Sequence, residues 1–481
     1  MRPSVVLRYI GIMLLFVASF MLLAAVVSFV SGRDSAYYPL LLSTLLTALL
    51  GAFPLIFVEK SEQISNKEGY CIVVGAWLVA CVVGMFPYLI WGGEFSLVNA
   101  WFESVSGFTT TGASILNNVE GLPRGMHFWR ISSAWIGGMG VVMFALVIMP
   151  SLGRNKMTLS SVELSSLAKD NYRYRTQIIV RILLVVYLGL TAITTLALKA
   201  AGMCWFDALM HGMSTAATCG FGTKNTSIAW FNSVPVEMVI LCGMTLSGIH
   251  FGLIFATITG KRNNMFRSEV TRVYLWTVAV VSVLIALSLR LSDIYPSLGE
   301  SLRHSAFHVV ATITTSGYAT ADSNVWTPFA IVLLIICSIV CACAGSTSGG
   351  LKVDRILYAF KIVRNRVRRQ QHPNAVLRVR IDGTIQDDSV LDTVMTFIVI
   401  YMVFIFIGTL FSTLCGVDLT TSFTSAVCSM GNVGPGFGDV GSMSNYSTLP
   451  SAVKLSNTLL MLLGRLEIFG LIQLFFIKWW R

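Results

Sequence analysis

The sequence predicts an all-α polytopic membrane protein. Two N-terminal spans precede four repeats, each a span, a re-entrant loop and a second span, arranged around a pseudo-four-fold pore. Of the 481 residues, 55% are hydrophobic and only 12% are charged, whereas soluble domains contain about 25% charged residues. Apolar windows of at least about 19 residues recur along the chain. Between them, a short pattern rich in Gly and Thr occurs four times.

Ten apolar segments are long enough to cross a lipid bilayer, which requires about 20 residues of helix. The first segment is too long for the apolar core of a signal peptide, about 7–15 residues, and lacks a clear cleavage site, so we expect it to be retained. The predicted spans are 5–31, 37–58, 71–92, 128–150, 178–201, 234–258, 273–291, 326–345, 391–415 and 451–479.

The distribution of basic residues predicts the side of the membrane on which each loop lies. The net charge of +11 would suit nucleic acid, but 25 of the 34 Lys and Arg residues lie in one alternate set of interspan segments. Cytoplasmic loops of membrane proteins carry such an excess of Lys and Arg. We therefore expect no nucleic-acid partner and place both termini in the cytoplasm. The basic set comprises segments 1–9, 58–70, 151–181, 259–272, 346–390 and 478–481.

Four loops of the opposite set do not look like simple connections. Each begins with about a dozen semi-apolar residues, a length that suits a half-helix dipping partway into the membrane. Irregular backbone at that depth is tolerated only where it faces protein or a water-filled cavity. The four loops are 93–127, 202–233, 292–325 and 416–450. The predicted units are a preface at 1–62 and repeats at 63–155, 156–262, 263–385 and 386–481.

The four loops share polar residues at equal offsets from one glycine. The anchoring glycines are Gly112, Gly220, Gly317 and Gly434. Two residues earlier come Thr110, Thr218, Thr315 and Asn432, and five residues later come Asn117, Asn225, Asp322 and Asp439. Ordinary extracellular turns are also rich in such residues, but that interpretation explains neither the recurrence nor the half-helices.

A half-helix that ends in this pattern is suited to holding a cation. Glycine adopts backbone angles forbidden to other residues, so successive carbonyl oxygens can turn towards one axis and replace the hydration shell of an ion, as in potassium-channel filters. The half-helices would point their negative C-terminal dipole ends at the ion. The predicted cation-coordinating residues are Thr110, Thr111, Gly112, Thr218, Cys219, Gly220, Thr315, Ser316, Gly317, Asn432, Val433 and Gly434.

The sequences TTTG, TCGFGT, TSGY and GNVGPGFG resemble the four filter sequences of the Trk/Ktr/HKT superfamily of potassium transporters. The likeness covers essentially the whole chain and is strongest to bacterial membrane subunits with two extra N-terminal spans. It implies potassium uptake across the bacterial cytoplasmic (inner) membrane, with K⁺ as the bound substrate ion and no organic cofactor in this chain. In that family a serine at the first glycine position accompanies sodium transport, so Gly112 favours potassium. Asn432 and Pro435 depart from the pattern, which predicts an asymmetric carbonyl ring.

The resemblance also implies partners for the chain. It predicts a homodimer and a cytoplasmic ring of nucleotide-binding (NAD or ATP) regulatory subunits, in addition to membrane lipid. The strongly basic segment 361–380 suits contact with anionic lipid headgroups and equally suits contact with that ring.

Two breaks in the apolar pattern predict elements that restrict the pore. Arg465 lies with Glu467 in the last span, where an ionisable group is costly and usually functional. The resemblance gives it a barrier role below the filter, and an ion pair with Glu467 or Glu237 is the structural alternative. In the third repeat small residues break the second span, and the resemblance places a gate there, with a packing kink as the alternative. The gate residues are Gly345, Ser346, Thr347, Ser348, Gly349 and Gly350.

Two other functions compete with a channel-like pore. A coupled symporter driven by sodium or protons usually has inverted repeats, whereas these repeats all enter from one side. An intramembrane enzyme requires clustered His, Asp or Cys, which the spans hold sparsely, so we expect no enzymatic activity. His304 and His308 have a spacing found in zinc sites, but no third ligand is near, which favours packing or hydrogen bonding.

Overall fold

The structure, a computed structural model, describes residues 2–59, 65–140, 176–260, 264–372, 374–375 and 377–475. This part of the chain is mainly helical, as predicted. Two strands, β1 (Arg380–Ile381) and β2 (Thr384–Ile385), form an antiparallel hairpin. The predicted boundaries near residues 62, 155 and 262 fall outside the described residues.

The helices are numbered in chain order and grouped under the predicted preface and four repeats. The preface and first repeat contain α1 (Pro3–Val30), α2 (Tyr37–Phe57), α3 (Asn66–Gly84), α4 (Phe86–Trp91), α5 (Leu97–Phe108) and α6 (Arg124–Met139). The second repeat contains α7 (Thr176–Ala200), α8 (Trp205–Ala216), α9 (Val234–Ser247) and α10 (Phe251–Ile258). The third contains α11 (Glu269–Leu291), α12 (Leu298–Ile313), α13 (Pro328–Val340) and α14 (Val353–Gln371). The fourth contains α15 (Asp388–Leu414), α16 (Leu419–Gly431), α17 (Ser451–Arg465) and α18 (Phe469–Phe475).

In the described residues, not every one of the ten predicted spans is a single continuous helix, and the break predicted in the third repeat is present. Among the described residues, six helices are long and apolar enough to cross a membrane, or seven if α9 and α10 are joined across their 103° bend. α13 stops at Val340, and α17 stops at Arg465 before two residues with positive φ, Glu467 and Ile468. Glycines near these breaks allow the chain to turn within an apolar stretch. The predicted span ends at 141–150 and 476–479 lie outside the described residues.

The four half-helices α5, α8, α12 and α16 pack in a closed ring. Each contacts the first and second long helices of its own repeat. Each also contacts the second helix of the preceding repeat, so that α8 packs on α6, α12 on α9 and α16 on α13. The ring closes where α5 of the first repeat packs on α17 of the fourth. The half-helices are therefore held at equivalent positions around one centre.

Each half-helix begins with the same kind of cap. The side chain of the residue before the helix accepts a hydrogen bond from the backbone N–H three residues later, which satisfies one of the unpaired donors of the first turn. The capping residues are Ser96, Cys204, Ser297 and Asp418. These caps fix where each half-helix starts and hence how far it reaches towards the centre of the ring.

The preface packs against the first repeat. α1 and α2 lie side by side, and a Cβ added to Gly11 or Gly51 would come within 3.0 Å of the other glycine's carbonyl oxygen. α1 also contacts α3 and α6. The preface thus covers the outside of one repeat and lies away from the centre of the ring.

Candidate functional site

The loops that follow the four half-helices share one backbone conformation. Thr110, Thr218, Thr315 and Asn432 have φ values of 55°, 53°, 59° and 56°. The glycines two residues later, Gly112, Gly220, Gly317 and Gly434, have φ values of 77°, 84°, 67° and 88°. A β-branched residue at positive φ is a genuine outlier that costs about 1–3 kcal/mol, and such strain clusters at functional sites. The equal offsets in the sequence therefore correspond to equal backbone geometry.

The four glycines and the residues before them form a cyclic set of contacts. A Cβ added to Gly112 would lie within 3.0 Å of the carbonyl oxygen of Cys219, and one added to Gly220 would meet that of Ser316 in the same way. In the same way, a Cβ added to Gly317 would lie within 3.0 Å of the Val433 carbonyl oxygen. One added to Gly434 would lie within 3.0 Å of the Thr111 carbonyl oxygen, which closes the ring. Only glycine fits at these positions, because each loop approaches the backbone carbonyl of the next. The twelve residues predicted to coordinate a cation are brought together in this ring.

The half-helices direct their C-terminal ends at this ring. They end immediately before it, at Phe108, Ala216, Ile313 and Gly431. The last carbonyl groups of a helix carry a partial negative charge that favours a nearby cation. Four such ends around one centre give the ring a negative potential without any formal charge on the coordinating residues.

A cavity of about 140 Å³ lies on the side of the ring that faces the connecting loops, and we call it the vestibule. All four ring glycines line it. Asn117 and Asn225, two of the residues five positions after a glycine, also line it, together with Arg130 and Lys224. An ion that approaches the ring from this side must therefore pass through the vestibule.

The side chains around the ring are buried and partly unpaired. The Thr110 hydroxyl and the side-chain amide oxygen (Oδ1) of Asn432 are buried without a hydrogen-bond partner among the described residues. Buried polar atoms are almost always paired, so these oxygens are candidate ligand positions. The amide nitrogen of Asn432 donates to the Thr111 hydroxyl and to the Met461 carbonyl, both at 3.0 Å. Although its residue differs, the fourth loop keeps the positive φ values of the other three, and the asymmetry of the carbonyl ring stays a prediction.

A buried ion pair that the sequence reasoning missed supports the first two loops. The Glu103 carboxylate accepts a hydrogen bond from Arg130 at 2.5 Å and another from the backbone N–H of Ile115 at 3.1 Å. The Arg130 guanidinium lies 3.6 Å from the centre of the Phe221 ring and donates to the Gly222 carbonyl of the second loop at 3.3 Å. A charged residue within an apolar half-helix indicates a functional or paired side chain. Glu103 lies in such a half-helix, so the sequence alone could have singled it out.

The third and fourth loops are supported by neutral hydrogen bonds. His304 is 2.9 Å from the Thr320 hydroxyl, and His308 accepts from the Thr320 N–H at 3.3 Å. The predicted hydrogen-bonding role of these histidines is confirmed. In the fourth repeat, the Thr424 hydroxyl donates to the Phe437 carbonyl and accepts from its N–H, both at 3.0 Å.

The residues five positions after the glycines make hydrogen bonds within and between the loops. Asn117 donates to Glu94 at 3.0 Å, and Asn225 accepts from the Val119 N–H of the first loop at 2.7 Å. Asp322 accepts from the Asn324 N–H at 3.0 Å. The backbone N–H of Asp439 donates to Thr421 at 3.1 Å. These contacts help to fix the shape of the loops next to the ring.

The predicted gate residues lie directly against the other side of the ring. The N–H of Gly349 donates to the hydroxyl of ring residue Thr315 at 3.1 Å. The Thr347 hydroxyl donates to the carbonyl of Ala216, at the end of a half-helix, at 3.0 Å. The loop 341–352 is also tied to the bend between α9 and α10, because Phe251 donates to Gly345 at 3.1 Å. We call residues 345–350 the gate loop.

Arg465 connects the gate loop to the first repeat. Its guanidinium donates to the Thr347 carbonyl at 2.8 Å and to the Gly137 carbonyl, near the end of α6, at 2.7 Å. Glu237, one of the acids considered as its partner, pairs with Arg303 at 2.6 Å. Glu467, the other, accepts a hydrogen bond from Arg355 at 2.8 Å. Arg465 thus places a positive charge next to the loop that lies below the ring.

The sequence matches one family of transport proteins over most of its length. The profile of the TrkH family, described as cation transport protein, matches residues 41–479. The chain belongs to the TrkH family. This membership confirms the predicted superfamily, a multi-pass bacterial membrane protein, and a transport function rather than an enzymatic one.

Several relatives of the TrkH family align with the whole chain. The Trk system potassium uptake protein TrkH of Halomonas elongata is 33% identical over 100% of both chains. TrkG of Escherichia coli is 33% identical over 88% of this chain and 87% of its own. The crystal structure of the potassium transporter TrkH from Vibrio parahaemolyticus covers 100% of both chains with a TM-score of 0.89 and 29% identity. This likeness confirms the all-α polytopic class.

Proposed function

We propose that the protein takes up potassium through a channel-like pore whose selectivity filter is the ring of four loops. The single observation that supports this is the cyclic contact from Gly112 through Gly220 and Gly317 to Gly434 and back to Thr111. It surrounds one centre with backbone carbonyl groups, and carbonyl oxygens replace the water around a potassium ion. The relatives named as potassium uptake proteins support the same ion.

Selectivity in this proposal depends on glycine at the ring. Each glycine packs against a carbonyl of the next loop, so a side chain there would push two loops apart and alter the spacing of the oxygens. K⁺ is the bound substrate ion, held by carbonyls of the twelve ring residues, and the chain requires no organic cofactor. The buried oxygens of Thr110 and Asn432 would lie next to the ion path.

Gating in this proposal depends on the gate loop and Arg465. Displacing the loop breaks its bonds to Thr315 and Ala216, each worth about 0.5–1.5 kcal/mol, and the charge-assisted bond from Arg465 to the Thr347 carbonyl, worth about 1.5–3 kcal/mol. A total of a few kcal/mol is in the range that a regulatory ligand can supply through differential binding.

The orientation and partners belong to the same proposal. The excess of Lys and Arg places both termini in the cytoplasm and the vestibule on the outside, so that the membrane potential drives inward flux. The exposed end of α14, which includes Arg366, Arg368 and Arg369, suits a cytoplasmic nucleotide-binding ring or anionic lipid. A homodimer is expected from the family.

Cation flux into liposomes tests the function. We expect the purified protein to conduct K⁺ and Rb⁺ in preference to Na⁺, and Gly112→Ser to raise the ratio of Na⁺ to K⁺ flux, because a Cβ there would lie within 3.0 Å of the Cys219 carbonyl. Gly299→Ser is the matched control, because a Cβ at Gly299 meets nothing within 4 Å.

Two results would contradict the proposal. Absence of K⁺ flux in reconstituted wild-type protein would reject the transport function itself, and unchanged selectivity in Gly112→Ser would reject the role of the ring. A K⁺ flux that requires a proton or sodium gradient would favour the coupled symporter. The same liposomes test this point when both gradients are set to zero.

A further inference from the structure

Lys224 is a cation in the wall of the vestibule, four positions after the ring glycine Gly220. Its ammonium lies 3.7 Å from the centre of the Trp230 ring and 3.7 Å from the Glu120 carboxylate. Lys224 and Trp230 belong to the second loop, and Glu120 belongs to the first. The side chain is 19% exposed. A carboxylate and an aromatic face therefore hold this charge at the edge of the cavity that leads to the ring.

The position of this charge matters because Lys224 and all four ring glycines line the same cavity. The field of a charge extends over about one Debye length, which is about 10 Å at 0.1 M salt. A lysine side chain is a flexible stem of four carbons. If the ammonium left Trp230, it would reach further into the vestibule and repel an approaching cation.

Arg130, the other charged residue that lines the vestibule among the described residues, is held more firmly than Lys224. Arg130 is buried against Glu103 at 2.5 Å, and Glu94 accepts two hydrogen bonds from Asn117. The carboxylate that faces Lys224 is 38% exposed, and exposed ion pairs are weak. The cation–π contact with Trp230 is therefore the second restraint that Lys224 needs.

We propose that the positive charge of Lys224 sets the rate at which cations reach the ring. Its contacts with Trp230 and Glu120 hold the ammonium at the wall of the vestibule. The proposal rests on the function proposed above. It assigns the pair Lys224–Trp230 a role in the rate of uptake and leaves the choice between potassium and sodium to the ring.

Initial Rb⁺ uptake into K⁺-loaded liposomes tests this role. Lys224→Met, Trp230→Leu and the double variant are compared with wild type at ionic strengths of about 0.01 M and about 1 M, set with an impermeant salt, where the Debye length is about 30 Å and about 3 Å. At low ionic strength we expect uptake to rise at least about twofold in Lys224→Met and to fall at least about twofold in Trp230→Leu. At high ionic strength both differences should vanish.

The double variant separates electrostatics from structure. If Trp230 acts by restraining Lys224, then Trp230→Leu has no effect once Lys224 is methionine, and the double variant matches Lys224→Met. A second Lys–Trp pair supplies the control. Lys199 lies 5.5 Å from the Trp205 ring at the end of α7, away from the residues that line the vestibule, so Lys199→Met and Trp205→Leu should leave uptake unchanged.

Each other outcome overturns the proposal. If Trp230→Leu slows Rb⁺ uptake equally in the wild-type background and in the Lys224→Met background, Trp230 has a structural role that does not involve Lys224. Unchanged uptake in Lys224→Met at low ionic strength would remove any role for the charge. If wild type takes up Rb⁺ normally in these cases, the proposed function survives and only the inference about Lys224 fails. No uptake by wild type would reject both.

Discussion

Glu103 and Arg130 are the residues on which the geometry of the first two loops most depends. Their ion pair is almost completely buried, with side-chain exposures of 0% and 3%. Removing one partner of a buried pair leaves an uncompensated charge and typically costs about 3–5 kcal/mol. Glu103 also accepts from the N–H of Ile115, and Arg130 also donates to the Gly222 carbonyl. Because Ile115 and Gly222 follow the ring glycines of their loops, loss of the ion pair should displace the ring.

We expect Arg130→Met and Glu103→Gln each to lower the melting temperature in detergent and the K⁺ to Na⁺ flux ratio. The double variant should lose less than the sum of the two single losses, because it leaves no unpaired charge. Arg290→Met is the control, since the pair Arg290–Asp293 is exposed and such pairs contribute about 0–1 kcal/mol. Strict additivity of the two buried substitutions would contradict the coupling.

For the ring residues, the sequence predicts where each residue lies in its loop better than it predicts which residues its side chain contacts. The equal offsets from Gly112, Gly220 and Gly317 follow from a pattern that repeats, and a repeated pattern implies repeated backbone. The partners of Asn432 are different, because nothing in its neighbourhood along the chain points to Thr111 or Met461. Side-chain bonds between distant repeats depend on the packing of the whole ring.

At the scale of the helix, the sequence identifies apolar stretches but not their breaks. Residues 234–258 contain enough apolar side chains for one span, and hydropathy is the same whether that stretch is straight or bent. The bend between α9 and α10 depends on a backbone hydrogen bond from Phe251 to Gly345, which belongs to another repeat. The half-helices are easier to predict, because their length and the glycines that follow them can both be read from neighbouring residues in the sequence.

The N-terminal caps of the half-helices give a pH-dependent prediction. Hydrogen bonding from the Thr421 side chain and N–H lowers the pKa of the Asp418 carboxyl, so the folded state favours the ionised form. This stability is present above the ordinary aspartate pKa of about 4 and is lost as the pH falls through the lower folded value. Loss of a cap typically costs about 0.5–2 kcal/mol.

We therefore expect Asp418→Ala to lower the melting temperature at neutral pH, by an amount that shrinks as the pH is lowered. Ser297→Ala removes the equivalent cap of α12 and should cost a similar amount at every pH, because a serine hydroxyl does not titrate in this range. Thermal unfolding of both variants in detergent between neutral and acid pH makes the comparison. A pH-independent deficit in Asp418→Ala would show that the carboxylate charge is irrelevant to the cap.

For the molecule as a whole, the ring is closed by contacts between its first and last repeats. Tyr446 donates from its N–H to Ser114 at 2.8 Å and from its hydroxyl to Gly434 at 2.7 Å. Trp101 of the first half-helix donates to Thr458 of α17 at 3.0 Å. No group of adjacent repeats can complete the ring alone. The four units therefore form one closed ring, although each has its own helices and its own cap.

Arg465 extends this closure to the side of the gate loop, and its removal should free the loop. It joins the fourth repeat, the Thr347 carbonyl of the third and the Gly137 carbonyl of the first. We expect Arg465→Ala to raise K⁺ flux several-fold in liposomes, because the loop loses its charge-assisted bond at Thr347, worth about 1.5–3 kcal/mol, and the proposed ion path loses a repelling charge.

Arg465→Lys distinguishes these two effects. A lysine keeps the charge but lacks the planar fork that reaches two carbonyl groups at once. If repulsion of the ion dominates, the flux of Arg465→Lys stays near wild type; if anchoring of the loop dominates, it approaches that of Arg465→Ala. Because the guanidinium bonds directly to Thr347, we expect the second result. A folded Arg465→Ala protein with wild-type flux would remove Arg465 from the gate altogether and leave the loop held by Thr315 and Ala216.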